Sequence, residues 1–384
     1  MSFSNEYSLS PQHTTVTGSE LKHIVEHQIK LAQDNPQGAA ALPALMIWGP
    51  PGVGKSTIIS EACRSHNIGF IDIRLSQREP VDLRGLPVPK NDHVDWLLAG
   101  EWPRDPESCG IILFDEITAA DRAMQVAAYE IILDRRLGDL YQLPKGWLVI
   151  AAGNRASDQA VAHTFSSALA NRFCHLELAA DVDNWCRWAQ QNGITPEVIA
   201  FVRHQPQAFF NMKGDLQRGW PSPRSWERVS NLLHQQRTHP LPEKLLNSLI
   251  SGLIGSGAGI EFQAFLRAQK QLPDVQAMLA NKVPISIPNE PDLRFSFCSA
   301  LVYHFWRKDK QLNHPSEKRV QRFFDIMLAM TSDFATMTLM DAITHENKDI
   351  AHQRMELMVT HSAFESWSDK HGVAFANEGG FDVV

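Results

Sequence analysis

The chain has 384 residues, 43% of them hydrophobic and 21% charged, which indicates a globular protein with enough length for two or three packed domains. A net charge of −7 gives no electrostatic reason to expect a nucleic-acid partner. The five cysteines include no C-x-x-C pair, no apolar run reaches the length of a membrane span, and the polar N-terminus lacks a signal-peptide pattern. We therefore expect a cytoplasmic protein with no membrane segment.

A glycine-rich loop follows the apolar run 45–48 and precedes a predicted helix, 57–65. Its glycines allow consecutive backbone N–H groups to turn inward onto an anion, and the helix adds the positive end of its dipole. In this pattern Lys55 reaches the β- and γ-phosphates of a nucleotide and Ser56 binds Mg²⁺. The predicted nucleotide-binding residues are Gly49, Pro50, Pro51, Gly52, Val53, Gly54, Lys55, Ser56 and Thr57.

Residues 69–75 alternate like a strand and come about one helix after the loop, which makes a β-loop-α-β unit and predicts a parallel sheet. A hairpin inserted into this α/β core is then predicted at about residues 84–98, because two short extended pieces surround the turn residues Asn91 and Asp92. A plain surface loop is the alternative there.

Residues 110–117 form a continuous apolar run that ends in two carboxylates, as in a buried central strand that delivers acids to its carboxyl edge. Downstream of a phosphate loop, Asp115 is expected to hold the Mg²⁺ shell. Glu116 is expected to orient and polarise the attacking water. The alternative is that the two acids only cap the next helix.

Residues 121–133 are predicted to form a helix, and residues 136–146 a second hairpin before the strand 147–152. That strand leads to Asn154, whose amide could hydrogen-bond the γ-phosphate or the attacking water; a turn asparagine is the alternative. With strand 173–178 the pattern gives five strands alternating with helices. The expected fold is a doubly wound α/β domain with a parallel five-stranded sheet.

After Asp181 the pattern is helical throughout. One helix start is well marked: Ser222 can cap it, Pro223 occupies the first helical position and Arg224 lies in the first turn. Cations are usually unfavourable at a helix N-terminus, so Arg224 is expected to bind an anion. A surface arginine that pairs with Glu227 is the alternative.

Five stretches carry a resemblance to a known class: residues 49–57, Asp115-Glu116, Gly153-Asn154, Asn171-Arg172-Phe173 and Ser222-Pro223-Arg224. Together they resemble the AAA+ ATPases. Within that class the sequence looks most like the MoxR family, because residues 82–87 followed by the first hairpin match that family's helix-2 insertion. The second hairpin matches its insertion before sensor 1. The resemblance covers residues 16 to 290.

The resemblance implies a role for each motif residue. Lys55 and Ser56 would make the Walker A contacts, Asp115 and Glu116 would form Walker B, Asn154 would be sensor 1, Arg172 would be an arginine finger acting on a neighbour's nucleotide, and Arg224 would be sensor 2. Asn171 stands where relatives often carry aspartate, so Arg135 and Arg136 stay open as substitutes for the finger.

A finger acting on a neighbour needs a ring, so the resemblance implies a homo-hexamer that hydrolyses ATP with Mg²⁺. MoxR relatives are typically chaperone-like remodelling ATPases that work with a separate protein carrying a von Willebrand factor A domain. The implied organisation is a flexible arm, an α/β core, a helical lid and a C-terminal helical segment, over residues 1–15, 16–181, 182–280 and 281–384.

Three other functions stay open at this point. The first is a DNA-remodelling AAA+ motor, although the acidic charge argues against it. The second is a metal-chelatase motor subunit. The third is a nucleotide-gated binding module that hardly hydrolyses ATP.

Overall fold

The computed structural model describes residues 14–155, 158, 170–213, 216–306, 315–345 and 348–377. The chain divides into two compact units, which meet in the sequence between Asp181 and Val182. Of the expected N-terminal arm, residues 1–13 lie outside the described residues. The predicted strands all belong to unit 1, and the described part of unit 2 is helical.

Ten strands occur in the described part of unit 1. Six of them form one parallel sheet in the order β1-β10-β2-β9-β6-β3, and the other four form two antiparallel hairpins. The strands are β1 (Thr15–Val16), β2 (Ala44–Trp48), β3 (Gly69–Arg74), β4 (Leu86–Lys90), β5 (His93–Leu97), β6 (Gly110–Asp115), β7 (Arg136–Leu137), β8 (Tyr141–Gln142), β9 (Trp147–Gly153) and β10 (Phe173–Leu178).

The prediction of a parallel doubly wound sheet is confirmed, but the prediction of five strands was one strand short. The sixth strand, β1, has two residues and pairs with Glu177 and Leu178 at the end of β10. A two-residue strand is too short to show an alternating pattern, so only its pairing in the folded chain reveals it.

Helices cover both faces of the sheet. They are α1 (Gly18–Asp34), α2 (Pro36–Ala40), α3 (Lys55–Ser65), α4 (Pro80–Arg84) and α5 (Arg122–Leu133). Ile111 and Leu113 of β6 share a buried cluster with α1 and α3, whereas Ile112 and Phe114 share one with α5. Because successive side chains of a strand point to opposite faces, a continuous apolar run is what a strand covered on both sides requires.

The hairpin of β4 and β5 turns at Asn91 and Asp92, and Asn91 adopts the left-handed backbone that such turns use (φ 53°). The register places Pro87 opposite Trp96 and Pro89 opposite Val94, so these four side chains share one face. All four are exposed, Val94 to 52% and Trp96 to 47%. This hairpin therefore carries an apolar face on the surface of unit 1.

The second hairpin, β7 and β8, is anchored to the segment that follows the first. The hydroxyl of Tyr141 donates to the carbonyl of Pro103 (2.7 Å), and the ring of Tyr141 lies 5.7 Å from that of Trp102. Both hairpins that were predicted from the sequence are thus present as antiparallel pairs.

Unit 2 contains eleven described helices, and the buried residues of the helices from 275 to 377 form an aromatic-rich core. They are α6 (Val182–Gln191), α7 (Pro196–His204), α8 (Pro223–Thr238), α9 (Glu243–Ile254), α10 (Ser256–Gln269), α11 (Val275–Leu279), α12 (Pro291–Trp306), α13 (Glu317–Leu328), α14 (Ser332–Ile343), α15 (Lys348–Val359) and α16 (Ala363–Asn377).

The segments expected to be the lid and the C-terminal extension both lie in unit 2 and share its core. Met278 of α11 belongs to the same buried cluster as Phe297 of α12 and Phe324 of α13. Arg203 of α7 forms a buried, bidentate ion pair with Asp341 of α14. Where the lid ends and the extension begins stays a prediction.

Of the helices in the described ranges, none combines the length and the apolar content that crossing a bilayer requires.

Candidate nucleotide site

The loop between β2 and α3 has the backbone geometry that an anion-binding loop needs. Gly52 and Gly54 adopt left-handed conformations (φ 77° and 106°), which residues with a Cβ rarely adopt. The N–H of Gly49 donates to the carbonyl of Gly153 (3.2 Å), so the start of the loop is fixed to β9. Helix α3 begins at Lys55, so the N–H groups of its first turn lie at the end of the helix that adjoins the loop.

Lys55 is buried, with only 8% of its surface exposed. Its ammonium group donates to the carbonyls of Gly49 (2.6 Å) and Pro50 (3.1 Å) and to the side-chain oxygen of Asn154 (3.2 Å). The structure thus brings together the lysine of the loop and the asparagine that the sequence placed at the end of a neighbouring strand. These hydrogen bonds hold the cation beside the loop through neutral oxygens.

The two acids lie at the carboxyl end of β6, as predicted. The N–H of Glu116 donates to the carboxylate of Asp115 (2.8 Å). Burial raises the pKa of the Asp115 carboxyl, and the hydrogen bond from Glu116 and the charge of Lys55 oppose this rise. Asp115 and Lys55 therefore interact electrostatically within the site.

Glu116 has a left-handed backbone conformation (φ 57°), which costs a residue with a side chain on the order of 1 kcal/mol or more. Its carboxylate accepts a hydrogen bond from the hydroxyl of Ser76, in the 3₁₀ turn Leu75–Gln77 after β3. A strained backbone and a dedicated hydrogen-bond partner fix Glu116 at this edge of the sheet. This is the kind of restraint that functional residues carry.

Asn154 is positioned by its backbone as well as by Lys55. Its N–H donates to the hydroxyl of Thr118 (3.0 Å), which is itself buried. A Cβ on the preceding Gly153 would lie only 2.6 Å from Thr118, so this close approach requires glycine. The end of β9 is thereby packed against the segment that follows the two acids.

The residues of the site fit a nucleotide and a divalent cation. The left-handed glycines and the helix start suit phosphate oxygens, and the buried ammonium of Lys55 supplies positive charge beside them. The Ser56 hydroxyl and the Asp115 carboxylate are the hard oxygen ligands that Mg²⁺ prefers.

Arg172 lies away from this site in its own chain. It is exposed and comes just before β10, at the amino edge of the parallel sheet, whereas the loop and the acids lie at the carboxyl edge. The five residue steps of β10 separate the two edges by about 17 Å. No hydrogen bond or ion pair joins Arg172 to the described residues of its own site.

The two substitutes for Arg172 are both engaged within unit 1. The guanidinium of Arg135 donates to the carbonyls of Pro144 (2.9 Å) and Trp147 (2.7 Å), and burial lowers its pKa. Arg136 lies 3.8 Å from Glu130 in a partly exposed ion pair.

Arg224 lies in unit 2, in the first turn of α8. The predicted helix start is confirmed, since Ser222 accepts a hydrogen bond from the N–H of Ser225 and Pro223 is the first helical residue. The Arg224 side chain is exposed.

Sequence reasoning missed three residues that the structure adds to the site region: Ser76, Thr118 and Asp72. Burial and the nearby Asp115 raise the pKa of the Asp72 carboxyl. Ser76 and Asp72 could have been sought, because both lie at or near the carboxyl end of β3, a parallel strand beside β6. No signal in the sequence singles out Thr118.

The sequence of unit 1 also matches a known family. The family described as the viral superfamily 1 RNA helicase core domain matches residues 45–180, which is less than half of the chain and includes the loop, both acids and Asn154. Unit 1 has a parallel, doubly wound α/β fold with a P-loop between β2 and α3, as in P-loop NTPases. The fold and the family match support nucleotide hydrolysis as the general activity of this unit. No curated protein matches the chain.

The solved structures that are similar to this chain have low sequence identities to it. A candidate ATPase from Cytophaga hutchinsonii is 16% identical, with 80% of this chain and 85% of that chain covered and a TM-score of 0.33. NtrX from Brucella abortus in complex with ADP is 16% identical over 89% of this chain and 68% of that chain (TM-score 0.34). RuvB from Thermotoga maritima, a Holliday junction branch migration motor, is 12% identical, with 79% of this chain and 86% of that chain covered (TM-score 0.35). Likenesses at these scores do not decide the function.

Proposed function

We propose that the chain is an ATP hydrolase of the MoxR branch of the AAA+ ATPases, which uses hydrolysis to drive chaperone-like remodelling or maturation of a protein partner. The observation that carries this proposal is the convergence of Lys55 on the loop carbonyls and on Asn154, next to the Asp115-Glu116 strand end. A merely structural glycine turn would not require a buried cation, two acids and an amide at one edge of a sheet.

The proposed chemistry assigns one task to each side chain. Lys55 neutralises charge on the transferred phosphoryl group, and Ser56 and Asp115 would hold Mg²⁺. The bound cation supplies charge stabilisation at the phosphate oxygens. Glu116, fixed by Ser76, orients the attacking water, and the Asn154 amide can hydrogen-bond that water or the γ-phosphate.

We assign the trans-acting finger to Arg172. Its position at the amino edge of the sheet removes it from its own nucleotide and leaves it exposed for a neighbour's. The guanidinium of Arg135 already serves two carbonyls of its own unit, which makes it the weaker candidate. A finger in trans requires adjacent subunits, so the proposal includes a homo-hexameric ring, with Arg224 as sensor 2.

The proposal extends to a protein client and a separate partner with a von Willebrand factor A domain. The exposed face of the β4–β5 hairpin, formed by Pro87, Pro89, Val94 and Trp96, supports a protein contact. An apolar face without cations suits another protein surface better than a phosphate backbone.

The proposed activity is tested by steady-state ATP hydrolysis against protein concentration, with the oligomeric mass measured in parallel by light scattering. Activity per subunit should rise cooperatively as hexamers form, because each site needs a neighbour's Arg172. Activity that is the same in monomer and hexamer would contradict the shared site.

Glu116→Gln should leave ATP binding intact and lower turnover by about 10²-fold or more, since it removes the group that orients water. Glu107→Gln is the matched control: the same chemical change at an exposed residue before the amino end of β6. Wild-type turnover in Glu116→Gln would remove Glu116 from this role.

A nucleic-acid motor is the second candidate, favoured by the match to a helicase core family over residues 45–180. It predicts binding to RNA or DNA that weakens steeply as salt is raised, because phosphate contacts release counterions. If the protein does not bind RNA or DNA at low ionic strength, the nucleic-acid motor is excluded.

A further inference from the structure

Trp48 and His175 form a hydrogen-bonded pair on the sheet. Trp48 is the last residue of β2, directly before the loop residue Gly49, and its indole N–H donates to Nδ1 of His175 in β10 (2.9 Å). The two rings are stacked, with centroids 6.0 Å apart and planes 17° apart. The other ring nitrogen, Nε2, lies 2.8 Å from the carbonyl of Ala170.

These two contacts fix the protonation of the ring. An indole nitrogen can only donate, so Nδ1 of His175 must accept and carries no proton. A carbonyl can only accept, so Nε2 must carry the proton and donate to Ala170. His175 is therefore a neutral imidazole in a single tautomer, and Trp48 selects the tautomer that can bind Ala170.

Ala170 is a helical residue two positions before Arg172, and it directly precedes the turn residues 171 and 172 that lead into β10. The hydrogen bond from His175 thus restrains the carbonyl directly before the turn that carries Arg172, while Trp48 connects the same imidazole to the start of the phosphate loop. One imidazole joins the chain's own nucleotide loop to the arginine at the opposite edge of the sheet.

We propose that His175, with its tautomer set by Trp48, is a positioning residue for Arg172, and that it links the nucleotide loop of one subunit to the finger that this subunit offers its neighbour. This inference rests on the proposed function, because it requires Arg172 to act in trans.

Mixed rings isolate this role. Arg172→Ala subunits keep an intact site of their own but offer no finger, whereas Glu116→Gln subunits cannot hydrolyse ATP but still offer Arg172. Mixing the two should restore hydrolysis in the Arg172→Ala subunits. Variants of His175 are then placed only in the Glu116→Gln subunit, whose own site is silent, so any change in hydrolysis reports on the finger it donates.

Two substitutions at position 175 form a matched pair. Asn can accept from Trp48 but does not reach Ala170, whereas the amide nitrogen of Gln takes the place of Nε2 and can donate to Ala170. In the Glu116→Gln background, His175→Asn should lower the restored hydrolysis about tenfold, the effect of losing one buried hydrogen bond, and His175→Gln should keep it within about twofold. Binding of a fluorescent ATP analogue to the donor subunit should be equal in both.

Trp48→Phe provides a second route to the same result. Phenylalanine keeps an aromatic ring beside His175 but lacks the N–H that selects the tautomer. With Trp48→Phe in the Glu116→Gln donor subunit, the restored hydrolysis should fall by a smaller factor than with His175→Asn. This variant keeps the test decisive if His175→Asn destabilises the subunit, which thermal unfolding of each donor would show.

Two outcomes would overturn the proposal and can be told apart. If unmodified Glu116→Gln subunits fail to restore hydrolysis to Arg172→Ala subunits, Arg172 is not the finger, and the proposed shared site fails together with this inference. If they restore it, and His175→Asn and His175→Gln donors do so equally well, the shared site stands and the role of His175 is wrong.

Discussion

Each unit of the chain buries a cation, and the two cations are held by different kinds of partner. Lys55 in unit 1 donates to two carbonyls and an amide oxygen, which are neutral. Arg203 in unit 2 is equally buried, and Asp341 binds it with both carboxylate oxygens. One acid in each unit shows the same difference between a neutral and a charged partner. Glu116 in unit 1 accepts a hydrogen bond from the hydroxyl of Ser76, whereas Asp341 in unit 2 binds the guanidinium of Arg203.

The difference separates a charge kept for a ligand from a charge used for architecture. The three hydrogen bonds orient the Lys55 ammonium group through neutral oxygens, and Asp115, with which it interacts electrostatically, is an acid of the same site. The charge of Lys55 is therefore placed within the proposed nucleotide site. A bidentate carboxylate compensates the charge of Arg203 and fixes α7 against α14. The two buried cations thus differ in their hydrogen-bond partners, which are neutral oxygens for Lys55 and a carboxylate for Arg203.

The largest expected effect is on the stability of unit 2, and it tests the Arg203–Asp341 ion pair. Arg203→Met should destabilise unit 2 by about 3–5 kcal/mol, because it leaves Asp341 buried without its partner. Hydrogen exchange of α12 and α14 in the full chain should report the loss, while ATP binding to unit 1 should be retained.

Arg267→Met is the control for Arg203→Met, since Arg267 forms an ion pair with Glu243 that is more than half exposed on both sides (3.4 Å). Its effect should stay within about 0.5 kcal/mol. Equal losses of stability in Arg203→Met and Arg267→Met would show that burial does not make the Arg203–Asp341 pair more important than the exposed pair.

Next in size, Lys55→Ala should weaken ATP binding by about 10²-fold, the range expected for losing a hydrogen bond between a charged donor and phosphate. Its effect should appear in the affinity for a fluorescent ATP analogue. Lys90→Ala, which removes an exposed lysine paired with Asp95 in the first hairpin, should leave that affinity unchanged. Unchanged affinity in Lys55→Ala would reject the assignment of the loop as a phosphate site.

The smallest expected effect is on turnover, through the placement of the Glu116 carboxylate. Ser76→Ala should lower turnover by roughly threefold to tenfold, because the Glu116 carboxylate loses the hydrogen bond that orients it, and ATP affinity should stay the same. Ser76→Thr keeps the hydroxyl and should retain most of the turnover. A Ser76→Ala enzyme with wild-type turnover would mean that the strained backbone of Glu116 is sufficient to place it.

Much of unit 1 could be predicted from the sequence because its signals are local. Apolar runs end in Asp115 and near Asn154, and parallel strands bring their carboxyl ends to one edge, so the approach of Asn154 to Lys55 follows from the strand pattern. The loop is equally local, since glycines at positions 52 and 54 supply the left-handed conformations that its backbone adopts.

The contacts that the sequence did not reveal are those between side chains far apart in the chain. Trp48 and His175 are separated by 127 positions, and Arg203 and Asp341 by 138. Neither pair belongs to a motif, and each depends on which helices or strands become neighbours. Such contacts follow from packing, which a single sequence does not encode in any local spacing.

The two prolines of β4 have a consequence for self-association. Residues of an antiparallel pair alternate between positions whose N–H groups point to the partner strand and positions whose N–H groups point outward. Proline is tolerated at the outward positions of an edge strand, and Pro87 and Pro89 are two residues apart, so the free side of β4 lacks two successive donors. A third strand therefore finds few donors along that side, and the hairpin can expose an apolar face without β4 templating the growth of a larger sheet or an aggregate.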